Sequence, residues 1–145
     1  MERGFINLYT YELHAHTSQV SSCSIISGKE LARLYKALGC EALCITDHFF
    51  NGNIRIPHDI PWKDRVELFC SGYEDALVEG NKIGLKVFFG WEFTHIGSDF
   101  LTYGLDKNWL LQNENCHDLS LGDYAALVRK SGGYIVHAHP FRQAW

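Results

Sequence analysis

Apolar and polar positions alternate along this chain in two different rhythms. Tyr9 to His16 has a period of two, the rhythm of a strand, and this reading puts Glu12, His14 and His16 on one face and Tyr11, Leu13 and Ala15 on the other. A polar loop, Thr17 to Ile26, follows. Ser27-Gly28-Lys29-Glu30 is a capping box, and Leu31, Leu34, Tyr35 and Leu38 then recur at helical spacing up to Gly39. Ala42 to Thr46 predicts a buried strand. Phe49 to Trp62, with Gly52, Pro57 and Pro61, predicts a long loop of the kind that often forms a lid. Asp64 is placed to cap a helix running to about Lys82, with Val66, Phe69, Cys70 and Tyr73 as its apolar stripe and Gly84 as its stop. Leu85–Phe93 and Phe100–Leu105 predict strands. Ser120 and Asp123 open a helix over Leu121–Lys130, and Tyr134–His139 predicts the last strand.

The order βαβαββαβ argues an α/β fold with a largely parallel sheet and right-handed crossovers. No repeat or linker divides the chain, so residues 1–145 read as one domain. A closed (β/α) barrel takes roughly 250 residues. The pattern is therefore expected to be barrel-like but to represent only the N-terminal portion of a barrel.

Composition narrows the possible partners. The formal charge of -4 and the lack of a basic block argue against binding a long nucleic-acid backbone. No run approaches the roughly 20 apolar residues of a membrane helix. Met1-Glu2-Arg3-Gly4 leads into a strand without a signal-peptide core, so a cytoplasmic location is expected. The five cysteines form no Cys-x-x-Cys pair, and Cys40, Cys44 and Cys70 read as small core residues.

The chemistry-bearing residues gather where strands end. His14-x-His16 points both imidazoles to one side of a strand, which suits a divalent ion, and Glu12 on that face is placed to orient an imidazole N–H. Asp47-His48 closes the second strand, where the plainer reading is a turn cap and a surface histidine. Glu92 lies inside the apolar stretch Val87–Phe93, where an unpaired carboxylate is costly, so it calls for cations. His137 and His139 repeat the same-face spacing. Arg142 either clamps a phosphate or is an exposed terminal arginine. His58 and His117 read as surface residues.

His14-Ala15-His16-Thr17, Ile45-Thr46-Asp47-His48, Gly90-Trp91-Glu92 and His139-Pro140 together resemble the PHP (polymerase and histidinol phosphatase) domain family, in order and in spacing. The resemblance implies a distorted, seven-stranded TIM-like barrel holding two or three zinc, manganese or iron ions. It implies that His14, His16 and Glu92 hold one ion. Glu92 would bridge to a second ion held with His139, His48 would belong to a third, and Asp47 would orient a ligand. A further family histidine falls at Asp99 here, with His95 as the alternative; His137 ranks below His139. Two family features differ. The loop after His16 reads Ser18-Gln19-Val20-Ser21-Ser22-Cys23 where many members carry a histidine, and the closing Asp-x-His does not occur.

The implied function is hydrolysis of a small phosphomonoester or nucleotide through a metal-bound hydroxide. Two rivals remain. One is a non-catalytic or truncated metal- and phosphate-binding remnant that needs a homo-oligomeric partner or a missing C-terminal half. The other is a structural α/β protein whose histidines are satisfied core groups.

Overall fold

The computed structural model describes residues 9–142; the Met1–Gly4 stretch of the localisation argument lies outside them. Five strands form one sheet in sequence order: β1 (Thr10–Ala15), β2 (Cys40–Ile45), β3 (Lys86–His95), β4 (Ser98–Tyr103) and β5 (Tyr134–His137). β1, β2 and β3 are parallel, whereas β4 pairs antiparallel with both β3 and β5. The expected largely parallel sheet is corrected at β4. Only Ile96 and Gly97 separate β3 from β4, both with positive φ, and a connection that short can only reverse the chain.

Among the described residues four α-helices cover the sheet: α1 (Gly28–Ala37), α2 (Trp62–Ile83), α3 (Lys107–Gln112) and α4 (Leu121–Lys130). α1 starts on the Ser27–Glu30 capping box, and Ser120 caps α4 by accepting from the Asp123 N–H. α2 begins two residues before Asp64, with Pro61 at its N-cap and no side-chain cap. α3 was not legible in the hydrophobic pattern; it is a short helix capped by Asp106 and tied to α2 through Lys107, which pairs with Glu67 and Glu74.

The sheet is a curled half-barrel. Laid flat, three interstrand spacings would separate β1 from β4 by roughly 14 Å. Instead the Tyr103 hydroxyl on β4 donates to the Leu13 carbonyl on β1 at 2.8 Å. The convex side carries the core. Trp91, Phe93, Phe49, Phe69 and Tyr124 form one cluster, and Ala15, Leu43, Ile45 and Val87 pack with α1 and α2 in another. Trp91 Nε1 and Thr102 Oγ1 both bond the buried Tyr124 hydroxyl, at 2.5 and 2.7 Å. Cys40, Cys44 and Cys70 are buried as expected.

The two glycines where α1 crosses α2 set a close approach. A Cβ on Gly28 would run into the Gly72 carbonyl, and a Cβ on Gly72 would run into Thr17 Oγ1.

Candidate metal centre

Residues from all five strands converge at one end of the half-barrel. β1, β2, β3 and β5 bring their C-terminal ends there. β4, running the other way, brings its beginning, so Asp99 lies opposite Thr94 in the ladder. Trp91 and Phe93 turn into the convex core, and the alternation sends Glu92 between them to the concave side.

Four imidazoles surround that carboxylate. His14 Nε2 and His139 Nε2 each lie 3.2 Å from Oε1; His48 Nδ1 lies 2.9 Å and His16 Nε2 3.4 Å from Oε2. Glu92 is 1% exposed. Yet Glu92 Oε1 and His48 Nδ1 make no hydrogen bond of acceptable angle. His14 Nε2 and His16 Nε2 approach each other to 2.9 Å. Imidazole nitrogens and carboxylate oxygens gathered at such short range, with Glu92 Oε1 and His48 Nδ1 left unbonded, form a donor set that fits a shared cation. Burial works to raise the Glu92 carboxyl, but His14 and His48 more than offset it and hold it well below the usual carboxylate range.

Three groupings could each hold an ion: His14, His16 and Glu92; Glu92, Asp99 and His139; and His16, Cys23 and His48. Asp99 Oδ1 accepts from Thr94 Oγ1 at 2.9 Å, and Oδ2 accepts from Arg142 Nη2 at 2.7 Å. Arg142, read as a phosphate clamp, therefore spends one nitrogen on Asp99 while its side chain stays half exposed.

Asp47 does not reach the convergence point. It is buried, with Oδ1 taking the Thr17 N–H at 2.6 Å and the Ser21 hydroxyl at 2.7 Å, and Oδ2 taking the Thr17 hydroxyl at 2.7 Å. Its place is that of a positioning residue. Burial pushes its carboxyl up to about 6, against the pull of Ser21 and Thr17, so above that pH it is ionised and can only accept. Ser21 must then donate its single proton to Asp47. Its oxygen is left to accept from the His48 backbone N–H at 3.0 Å and from His16 Nδ1 at 3.1 Å. His16 is thus held with the proton on Nδ1 and the lone pair on Nε2, turned toward Glu92. Burial, reinforced by His48, lowers its pKa to about 4, so the ring is neutral near pH 7.

Several expectations need correction. Glu12 does not share a face with His14 and His16. A bulge between Glu12 and Ala15 breaks the alternation, and Glu12 Oε1 instead accepts the His14 backbone N–H at 3.0 Å while its carboxylate lies beside Tyr35 of α1. His137 and His139 also part company. β5 ends at His137, whose ring stacks on Phe100, and His139 adopts a positive φ that swings its ring toward Glu92. His95 stacks on Phe93, away from the carboxylate. His117 is no surface residue: its side chain is 10% exposed and stacks on Trp62. His58 is exposed. Sequence reasoning missed Ser21 altogether, because its partner Asp47 is 26 positions away and a lone serine in a polar loop carries no signal.

No curated protein matches the sequence. Among solved structures, the fold is similar to a protein from Bifidobacterium adolescentis provisionally named a metal-dependent phosphoesterase, at 19% identity and a TM-score of 0.48, over 70% of this chain and 29% of that one. The family model of the PHP domain matches residues 12–134. That stretch holds the His14-x-His16, Asp47-His48 and Glu92 motifs and most of the sequence: the chain belongs to the PHP domain family.

Proposed function

We propose that this chain carries the metal centre of a phosphoesterase acting on a small phosphomonoester or nucleotide. The observation that supports this reading is the Glu92 carboxylate, buried, ringed by four imidazoles and left with an unbonded Oε1. A structural protein would leave a costly charge there for no return. His14, His16, His48, Glu92, Asp99 and His139 are the residues to hold divalent ions, and mixed nitrogen and oxygen donors suit zinc, manganese or iron. Such ions, when bound, supply Lewis acidity toward a phosphoryl oxygen and make a water easier to deprotonate. The chain's own groups do the rest. Ser21 and Asp47 hold His16 in the right tautomer, Glu92 places negative charge between the imidazoles, and the half-exposed Arg142 keeps donors beyond the one given to Asp99 for a phosphate oxygen.

The test is elemental analysis of the purified protein together with p-nitrophenyl phosphate turnover in Mn²⁺, for the parent and for Glu92→Ala. Bound metal and turnover in the parent, with both lost in the variant, support the reading. Metal-free parent protein, or unchanged turnover in Glu92→Ala, overturns it.

A second reading rests on the concave sheet face. Phe88, Tyr134 and Val136, on the same side of the sheet as Glu92, are 53%, 71% and 49% exposed. On this reading the chain binds metal and phosphate but needs further polypeptide over that face to turn over substrate, from a second copy or from a C-terminal half. Solution mass, measured alongside turnover, separates the two: a monomer that hydrolyses p-nitrophenyl phosphate rules it out.

A further inference from the structure

We propose a second ligand site, distinct from the Glu92 centre, in which Arg65, His117 and the N-terminus of α2 bind a phosphate-class oxyanion. Arg65 is only 8% exposed. Its Nε and Nη2 have no hydrogen-bond partner, and no carboxylate pairs with it among the described residues. A buried cation in that state is costly. Two aromatic rings stabilise it in part, since the guanidinium carbon lies 4.8 Å from the centre of Phe50 and 5.5 Å from that of Trp62. Rings cover the faces of a guanidinium, whereas its N–H donors lie in its plane, so those contacts leave the donors unmet.

The same two rings hold His117, at 5.7 Å from Phe50 and stacked 5.6 Å from Trp62. His117 Nδ1 is also buried and unpartnered. Trp62 is the first residue of α2, a helix of 22 residues whose Pro61 N-cap supplies no side-chain acceptor. A guanidinium fork and an imidazole nitrogen, each with a buried unpartnered nitrogen, thus share one aromatic box whose Trp62 is the first residue of α2. A single multi-oxygen anion seated beside the rings would satisfy both, neutralising the buried charge and accepting bidentately from Arg65, and the start of α2 adds a favourable dipole.

The box communicates with the Glu92 centre through one side chain. Asn51 Nδ2 donates to the His117 carbonyl at 3.2 Å and to the Thr94 carbonyl at 2.8 Å, and Thr94 in turn bonds Asp99. The anion has two possible sources: free phosphate, or a second phosphate on a substrate whose first phosphate meets the ion centre.

Equilibrium dialysis against inorganic phosphate tests the site, using Glu92→Gln or chelator-treated parent protein so that binding at the ion centre does not contribute. The outcome is therefore independent of whether Glu92 holds ions. Arg65→Met keeps the stem and its contact with the rings but removes the fork. It is expected to weaken phosphate binding about tenfold or more, as loss of a charged hydrogen-bonding partner does. His117→Phe keeps the stack, removes the nitrogen and is expected to weaken binding by a smaller factor; it carries the test should Arg65→Met not fold. Repeating the dialysis on metal-loaded parent with a nucleoside bisphosphate and with its monophosphate separates the sources. Tighter binding of the bisphosphate, lost in Arg65→Met, assigns the site to substrate, and equal binding assigns it to free phosphate. Absence of phosphate binding, or unchanged affinity in both variants, overturns the proposal.

Discussion

His14 on β1 and His139, just beyond β5, stack with ring centroids 5.5 Å apart. They belong to opposite edges of a five-stranded sheet, and their contact is made possible by the curl of that sheet. Glu92, on the middle strand, turns the same oxygen toward both, 3.2 Å from each. The candidate site is therefore a property of closure: anything that flattens the half-barrel separates its ligands.

Glu92→Gln keeps the shape and removes the charge. The variant is expected to fold and to lose the rise in melting temperature that divalent metal confers on the parent. Calorimetry with and without a chelator checks this, because a ligand bound only by the native state stabilises it by mass action. Equal metal-induced shifts in parent and variant would contradict the assignment.

Ser21→Ala removes the hydroxyl that joins Asp47 to His16. Metal affinity is expected to fall roughly 10- to 100-fold, the usual effect of losing a residue that orients a ligand. Nitrogen-15 NMR of the histidine side chains should show the His16 proton redistributing between its two nitrogens. Ser21→Thr, which keeps the hydroxyl, should restore both properties. A lowered affinity with an unchanged tautomer would place Ser21 in a merely structural role.

The pH dependence of the chelator-treated protein contains two opposed contributions. His16 titrates near 6.5 when unfolded and at about 4 when folded, so its stabilising contribution is complete above pH 6.5 and is lost as pH falls toward 4, on the order of 3 kcal/mol at most. Asp47 is shifted the other way, from 3.8 to about 6, so its contribution is complete below pH 3.8 and is lost as pH rises through 6. Between pH 4 and 6 the two largely cancel. Asp47→Asn removes the second, and urea unfolding across this range should show a steeper loss of stability toward acid in the variant than in the parent. Parallel curves would argue against the assignment.

Gly72→Ala and Tyr124→Phe should separate the site from the scaffold. A methyl on Gly72 meets Thr17 Oγ1, which bonds Asp47, so overpacking there is expected to cost about 1–3 kcal/mol and to weaken metal binding as well. Tyr124→Phe leaves Trp91 Nε1 unpaired in the convex core, at a similar cost of about 1–3 kcal/mol, but leaves metal binding intact. Denaturant unfolding and metal titration of both variants measure the difference.

Much of the architecture was legible because local rules govern it. The Ser27–Glu30 box and the Ser120 cap are satisfied within four residues, so their helices start where the pattern places them. Glu92 stood out because an acid among Phe89, Trp91 and Phe93 has few stable surroundings. Errors arose where tertiary contacts overrule alternation. One bulge turned Glu12 away from His14, one positive φ parted His139 from His137, and an aromatic box drew His117 inside.

The sequence by itself determined which residues could ligate and, apart from the short α3, the α/β order of elements, because hydrophobic period and residue chemistry are local properties. Only the tertiary structure decided which of those residues meet. The reversal of β4 brings Asp99 to the site, the curl brings His139 to His14, and Ser21 links Asp47 to His16. Those contacts span up to about five strands, and no local rule encodes the distance between two ends of a sheet until the sheet has bent.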